Sequence, residues 1–332
     1  MTAAGGTSLP QGPSAEPNLL RHRGHAMACA FEVILPRTAG APSVQHALAE
    51  LVLAEIDCWH HRLSAHDRAS DVCQISRASA AGQWTSVDAE LFALLSQCQA
   101  LRHITSGQFS PFRQREPYGD APSLLLDAET QRVLLAAPSQ SGCTLDLGAI
   151  AKGWALDRAA LLLNEHGAAD YFICGGGSSA IARGVPCNGQ SWSIALADSG
   201  PPGATTRHIL SESGFSCSRH DGRAALAGAE RAGHIWDAGR RTLIAPGDPA
   251  YLAGAAVFAA SAATAEAWST AFVATKREQL HTLLDDAREL ARTAPRGELS
   301  LLPTGWLLDD GQLPHPLTSP FPAAAPVPHL PL

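Results

Sequence analysis

The chain has 332 residues, 45% of them apolar, with 31 acidic against 24 basic side chains, a formal charge of −7 and a pI near 6.0. That apolar content excludes a wholly disordered chain, and the acidic balance argues against a general nucleic-acid binder, which needs basic surface for phosphates. No apolar run reaches membrane-spanning length, and the length suits one large core or two smaller domains.

Residues 1–20, MTAAGGTSLPQGPSAEPNLL, are rich in Gly, Pro and Ser and read as a disordered segment. They hold neither a basic n-region nor an apolar h-region, so no secretory signal is read and a cytoplasmic location is expected. Ala30–Leu35 (AFEVIL) has the pattern of a strand, and Val44–Leu63 has helical spacing of Leu48, Leu51, Leu53 and Ile56. Leu91–His103 is a second helix, and Ser123–Leu126 and Arg132–Leu135 are short strands. LDLGAIAKGWALDRAALLLNEHG then reads as an apolar strand end, a glycine and an amphipathic helix that stops at Gly167. YFICGGGSSAIARG is a strand running into a glycine turn and out again. SWSIALA, HIWDA and AAVFAAS are further strands, and Thr264–Thr293 is one or two helices. From Leu313 the chain carries seven of its 23 prolines, so 313–332 reads as an extended, Pro-rich tail. Between 21 and 312 no repeat or linker is visible, and helices cluster between groups of strands without regular βαβ alternation. The expected class is therefore α+β, one domain of mixed sheets with packed helices. The eight cysteines are scattered with no CxxC pair, which suits reduced thiols better than a disulfide framework or a zinc site.

Four features carry chemistry. Lys152 falls in the first turn of its helix, where a cation is unfavourable unless an anion answers it. First-turn amides together with Lys152 suit a phosphate, with Gly148 allowing close backbone approach; alternatively Lys152 snorkels to solvent and Asp146 caps the helix. Glu266 and Thr270, four apart in AEAWSTA, share a helical face and offer hard oxygen ligands for magnesium, unless Thr270 bonds back to its own helix and Glu266 is solvated. Gly175–Gly177 can admit a ligand or simply turn a hairpin, and the triplet has the order of neither a dinucleotide fingerprint nor a P-loop. His234, three residues before Asp237, could act as a general base or be an ordinary histidine.

Taken together, seven segments in order resemble the ApbE family of flavin transferases, from about Met27 to about Thr275. LDLGAIAKGWALDRAA is close to the family's DLG-x-IAKG-(Y/W)-x-x-D block. MACAFEVIL is similar to its opening Met-Gly-Thr strand, and LSAHDRASDVCQIS to a segment reading like LSTYDPDSELSRFN. SGQFSPF resembles SGGAFDPT, ICGGGSS stands where the family has VNAGGDI, HIWDA where it has HI-x-DP, and AEAWSTAF where it has ADALSTAL. The resemblance implies a magnesium-dependent FAD:protein FMN transferase that moves FMN from FAD onto a threonine hydroxyl of an acceptor protein and releases AMP. It implies FAD contacts at Met27, Phe109, Asp146 and Lys152, and metal ligands at the Ala149 carbonyl, Glu266 and Thr270. His234 is the candidate for activating the acceptor hydroxyl. The chain departs from the family where Glu266 replaces Asp, Ser110 replaces Asp, Ser76 replaces Asn, Cys174 and Ser178 replace Asn and Asp, and Ala238 replaces Pro. Those losses leave two alternatives: a catalytically weakened FAD- or nucleotide-binding relative, and a hydrolase that splits FAD into FMN and AMP.

Overall fold

A computed structural model describes residues 18–37, 42–113, 122–136, 143–186, 189–197, 205–220, 235–237, 242–293, 298–309 and 315–317. Its principal sheet contains β1 (Leu19–Ala26), β2 (Cys29–Pro36), β3 (Tyr171–Gly175), β4 (Ser179–Arg183), β5 (Ser213–Arg219), β6 (Gly254–Ala259), β7 (Pro303–Asp309) and β8 (His315–Leu317). These strands lie side by side in chain order, every neighbouring pair antiparallel. Among the described residues, six α-helices accompany the sheet: α1 (Pro42–Leu63), α2 (Asp71–Ala80), α3 (Ala89–Ile104), α4 (Ala151–Glu165), α5 (Ala262–Ala274) and α6 (Arg277–Thr293). The fold is the expected α+β type, and the long helical stretch near the C-terminus divides in two at Thr275–Lys276.

Alternation along the strands gives the sheet two apolar faces, because successive side chains point to opposite sides. Phe31, Val33, Ile173 and Val257 face the main core, which is shared with the helices. Ile34, Phe172, Phe215 and Ala256 face a second core closed by Trp192 and by Ile194 of the hairpin Ser193–Ala197/Thr205–Ile209. In the main core α1, α4 and α5 pack together against the sheet, and Trp59 meets Trp154 edge-on with ring centroids 5.6 Å apart.

Several elements were hidden in the sequence. Leu19 and Leu20 fall in the Pro- and Gly-rich N-terminal segment, yet both are buried and pair in β1 with Pro36 and Leu35. Polar residues alternating through LLRHRGHA mask this edge strand, since only one end of it is continuously buried. β5, SGFSCSR, is masked by its serines, of which Ser216 and Ser218 turn out to be bonded across to Ser269 of α5. Within the Pro-rich tail, His315–Leu317 pairs with Trp306–Leu308 at the sheet's other edge. Among the described residues, no helix is long and apolar enough to cross a membrane, and no disulfide joins one described cysteine to another.

The element that matters most for position is α5, buried along all of its length except Thr270. Small residues permit this. A Cβ added to Gly153 of α4 would lie 2.4 Å from the Ala262 carbonyl oxygen, and one added to Gly214 of β5 would lie 2.3 Å from the Ala262 nitrogen. The first turn of α5 is thus clamped between two glycines whose missing side chains let three backbones meet. Gly214→Ala should destabilise the protein by about 1–3 kcal/mol through overpacking, read from urea unfolding; an unchanged midpoint would show that the clamp yields without cost.

Candidate functional site

The beginning of α4 has no cap of its own. Its N-cap residue is Ile150, whose side chain cannot accept a hydrogen bond; Ala151 N–H turns back to the Leu147 carbonyl at 2.8 Å, and Gly153 N–H needs a partner from elsewhere. Glu266 supplies it from α5. Gly153 N–H, the third helical amide and so without a partner inside its own helix, donates to Glu266 Oε2 at 2.6 Å. The other carboxylate oxygen, Oε1, takes the Lys152 ammonium in a direct ion pair. Only 11% of the Lys152 side chain and 4% of Glu266 remain exposed. The anion that answers the awkward cation of α4 is therefore inside the protein. A carboxylate at a helix N-terminus is favoured by both the dipole and the ammonium, and the geometry is charge-assisted on both oxygens.

One helical turn after Gly153, Asp157 returns the favour to α5. Its carboxylate accepts from Ala262 N–H at 2.7 Å and Ala263 N–H at 2.9 Å, while Ser261 Oγ accepts from Thr264 N–H at 3.1 Å. Burial pushes the Asp157 carboxyl up to about 7, with the Glu266 charge adding to the rise and the two amides and Ser261 opposing it. The two helices thus cap each other reciprocally, Glu266 for α4 and Asp157 for α5. The sequence held a signal for this: Gly153 and Asp157 are four apart, on one face of α4.

Thr270 lies one turn beyond Glu266, at the edge of a row of hydroxyls. Ser179 Oγ is 3.4 Å from Ser216 Oγ, Ser216 accepts from Ser269 at 3.2 Å, Ser269 is 2.8 Å from Ser218, and Ser218 is 3.4 Å from Thr270 Oγ1. The row joins β4, β5 and α5 and turns Thr270 toward Ser218 of the strand. Before α4, Asp146 Oδ1 accepts from Gly148 N–H at 3.0 Å, and Oδ2 is 3.9 Å from Arg113. Asp146 therefore shapes the turn leading into the helix rather than capping it.

The remaining sequence candidates are more dispersed. Met27 and Ala28 form the β1–β2 turn with φ of 50° and 58°, left-handed values that favour glycine, and Met27 N–H donates to His60 Nδ1 of α1 at 3.2 Å. Gly176 and Gly177 also have positive φ in the turn beside that hairpin, and a Cβ on Gly176 would lie 3.1 Å from Cys29 Sγ. Phe109 is fully buried in the main core. His234 lies outside the described residues; Asp237, its sequence neighbour, is buried and accepts from the Tyr251 hydroxyl at 2.5 Å. Ser76 is spent on backbone, donating to the Val72 carbonyl and accepting from Leu145 N–H, and Ser110 Oγ accepts from Phe112 N–H at 3.3 Å.

Two measurements test this arrangement. Glu266→Leu should cost about 3–5 kcal/mol in urea unfolding, because it strands the Lys152 ammonium, and adding Lys152→Met should restore most of that loss; additive losses would mean that the pair is not coupled. For Asp157, the raised carboxyl pKa means that the folded state keeps a proton which the unfolded chain releases near the ordinary value of 3.8. The stability of the wild type relative to Asp157→Asn should accordingly fall as pH rises from about 4 to about 7 and level off above it, by chemical denaturation across pH. A rise over that interval would show that the two amides outweigh burial.

The fold has counterparts in known proteins. The structure is similar to the ApbE protein of Thermotoga maritima (TM-score 0.66, 20% identity, covering 87% of this chain and 94% of that one). It is also similar to the apo form of the flavinyl transferase ApbE of Pseudomonas stutzeri (TM-score 0.65, 21% identity, 87% and 90%). The flavin transferase ApbE of Vibrio cholerae is a third such fold (TM-score 0.62, 16% identity, 87% and 93%). No curated protein matches the sequence significantly. At the level of sequence, the family model described as the ApbE family matches residues 27–293, which is most of the chain. The chain belongs to the ApbE family.

Proposed function

We propose that this protein is a FAD:protein FMN transferase that uses magnesium to move FMN from FAD onto a threonine hydroxyl of an acceptor protein. The observation that carries the reading is the meeting of Lys152, the N-terminus of α4 and the Glu266 carboxylate at one buried point. A diphosphate suits this place, because the first-turn amides and the lysine both favour anions. The donor set fits magnesium in chemistry: the Ala149 carbonyl, the Glu266 carboxylate and the Thr270 hydroxyl are all hard oxygens. Magnesium held there would neutralise charge on the phosphates during transfer.

The chain's own groups do the rest. Lys152 draws in and orients the diphosphate at the positive end of the α4 dipole. The acceptor threonine oxygen forms a bond to the FMN phosphorus, the bridging P–O bond breaks, and AMP leaves with that oxygen. The hydroxyl proton passes to a base, for which His234 is the candidate. Met27 at the hairpin tip and Asp146 before α4 have surface to offer the flavin nucleotide. A flavin contact by Phe109 requires its ring to turn out of the core.

A second reading has its own observation. With Glu266 already neutralised by Lys152, the site is also that of a relative that binds FAD without transferring FMN. Incubation with FAD and magnesium, with and without a threonine-bearing acceptor, separates the readings by mass spectrometry and nucleotide analysis. AMP and covalently flavinylated acceptor are expected, with Glu266→Ala lowering the rate at least 100-fold. AMP with free FMN would make the protein a hydrolase, and bound FAD with neither product would make it a binding protein.

A further inference from the structure

We propose that Lys152 and Glu266 form a two-position switch that makes anion binding and divalent-cation binding depend on each other. In one position the two side chains neutralise each other, as in this structure. In the other, Lys152 has turned to a diphosphate and Glu266 is left to a cation. The inference deepens the site reading above and rests on it.

Both oxygens of Glu266 are committed, Oε1 to the Lys152 ammonium and Oε2 to Gly153 N–H. A divalent cation arriving alone would face an ammonium on the oxygen it needs, with little solvent to screen the repulsion at 4% exposure. An anion arriving alone would take Lys152 from Glu266 and leave a buried carboxylate unanswered. Each ligand by itself therefore opens a buried pair without replacing the lost partner. Arriving together, they replace both partners, so each tightens the binding of the other, reciprocally.

The structure also identifies the moving half. Glu266 sits on α5, whose first turn is held by Asp157, Ser261, Gly153 and Gly214. Lys152 stands on a flexible four-carbon stem, keeps 11% of its side chain exposed, and is the second residue of α4, beside the amides that favour an anion. A short swing of Lys152 exchanges its carboxylate partner for a phosphate while both helices stay in place.

Titrating Mn2+ into the full chain, followed by the EPR signal of free Mn2+, tests the switch. With ADP as the diphosphate probe, and after correction for chelation of Mn2+ by ADP alone, the wild type should bind Mn2+ at least tenfold more tightly than without ADP. Lys152→Met should bind Mn2+ at least tenfold more tightly than wild type without ADP and show little further gain with it. If Lys152→Met does not fold, thermal unfolding of the wild type decides: Mn2+ alone should leave Tm unchanged, and Mn2+ with ADP should raise it above ADP alone. Equal Mn2+ affinity with and without ADP, or a Tm raised fully by Mn2+ alone, would overturn the switch and leave the magnesium site standing. No Mn2+ binding under any of these conditions would overturn both.

Discussion

A carboxylate buried to the extent of Glu266 needs a complete set of partners, and the arrangement around α4 and α5 follows from supplying them. The partners come from one turn of α4: an ammonium at Lys152 and an amide at Gly153. For that turn to reach Glu266, the two helices must approach until only glycine fits at Gly153. For α5 to be buried so deeply, its own first amides need an acceptor, and Asp157 provides two oxygens from the next turn of α4. Gly214 completes the constraint from the sheet side. A single buried charge thus explains a close helix contact, a reciprocal pair of caps and a small-residue strand.

The same groups that stabilise the helix pair are those suited to a nucleotide diphosphate and a hard cation. Charges kept at a helix N-terminus are costly unless answered, and an internal answer is a substitute for an external one. Glu266, which by the sequence resemblance stands in place of a shorter Asp, is in direct contact with Lys152. Under the proposed function, structure and ligand binding draw on one ion pair, which ties the stability of the empty protein to the affinity of the loaded one. Strain of another kind is kept at the Met27–Ala28 turn, where two residues with side chains hold left-handed backbone and His60 takes the Met27 amide.

Much of the architecture was legible in local pattern. The amphipathic spacing of α1, α3, α4 and α6 and the apolar runs of β2, β3 and β6 report their own burial, because each buries a stripe or face that its own residues define. β1 and β5 were not legible, since their polar residues are satisfied by edges, ion pairs and hydroxyls contributed from elsewhere. At the site, the sequence marked Lys152, Asp146, Glu266 and Thr270 as chemically capable, and the DLG-x-IAKG segment placed the first two at a helix start. Asp157 and Gly153 lay inside the same segment, four apart on one helical face, but nothing around them in the sequence named the second helix that they meet.

By itself, then, the sequence determined an α+β domain, the helix that begins at the lysine, the acid–hydroxyl pair one turn apart and the family resemblance that unites them. Only the tertiary structure decided that the lysine and the acid, 114 residues apart, answer each other. Helix and strand periodicity are set by neighbours along the chain, whereas the partner of a buried charge is set by which backbones come close enough to touch. Here that approach depends on the glycines at 153 and 214 and on the two amides that Asp157 accepts.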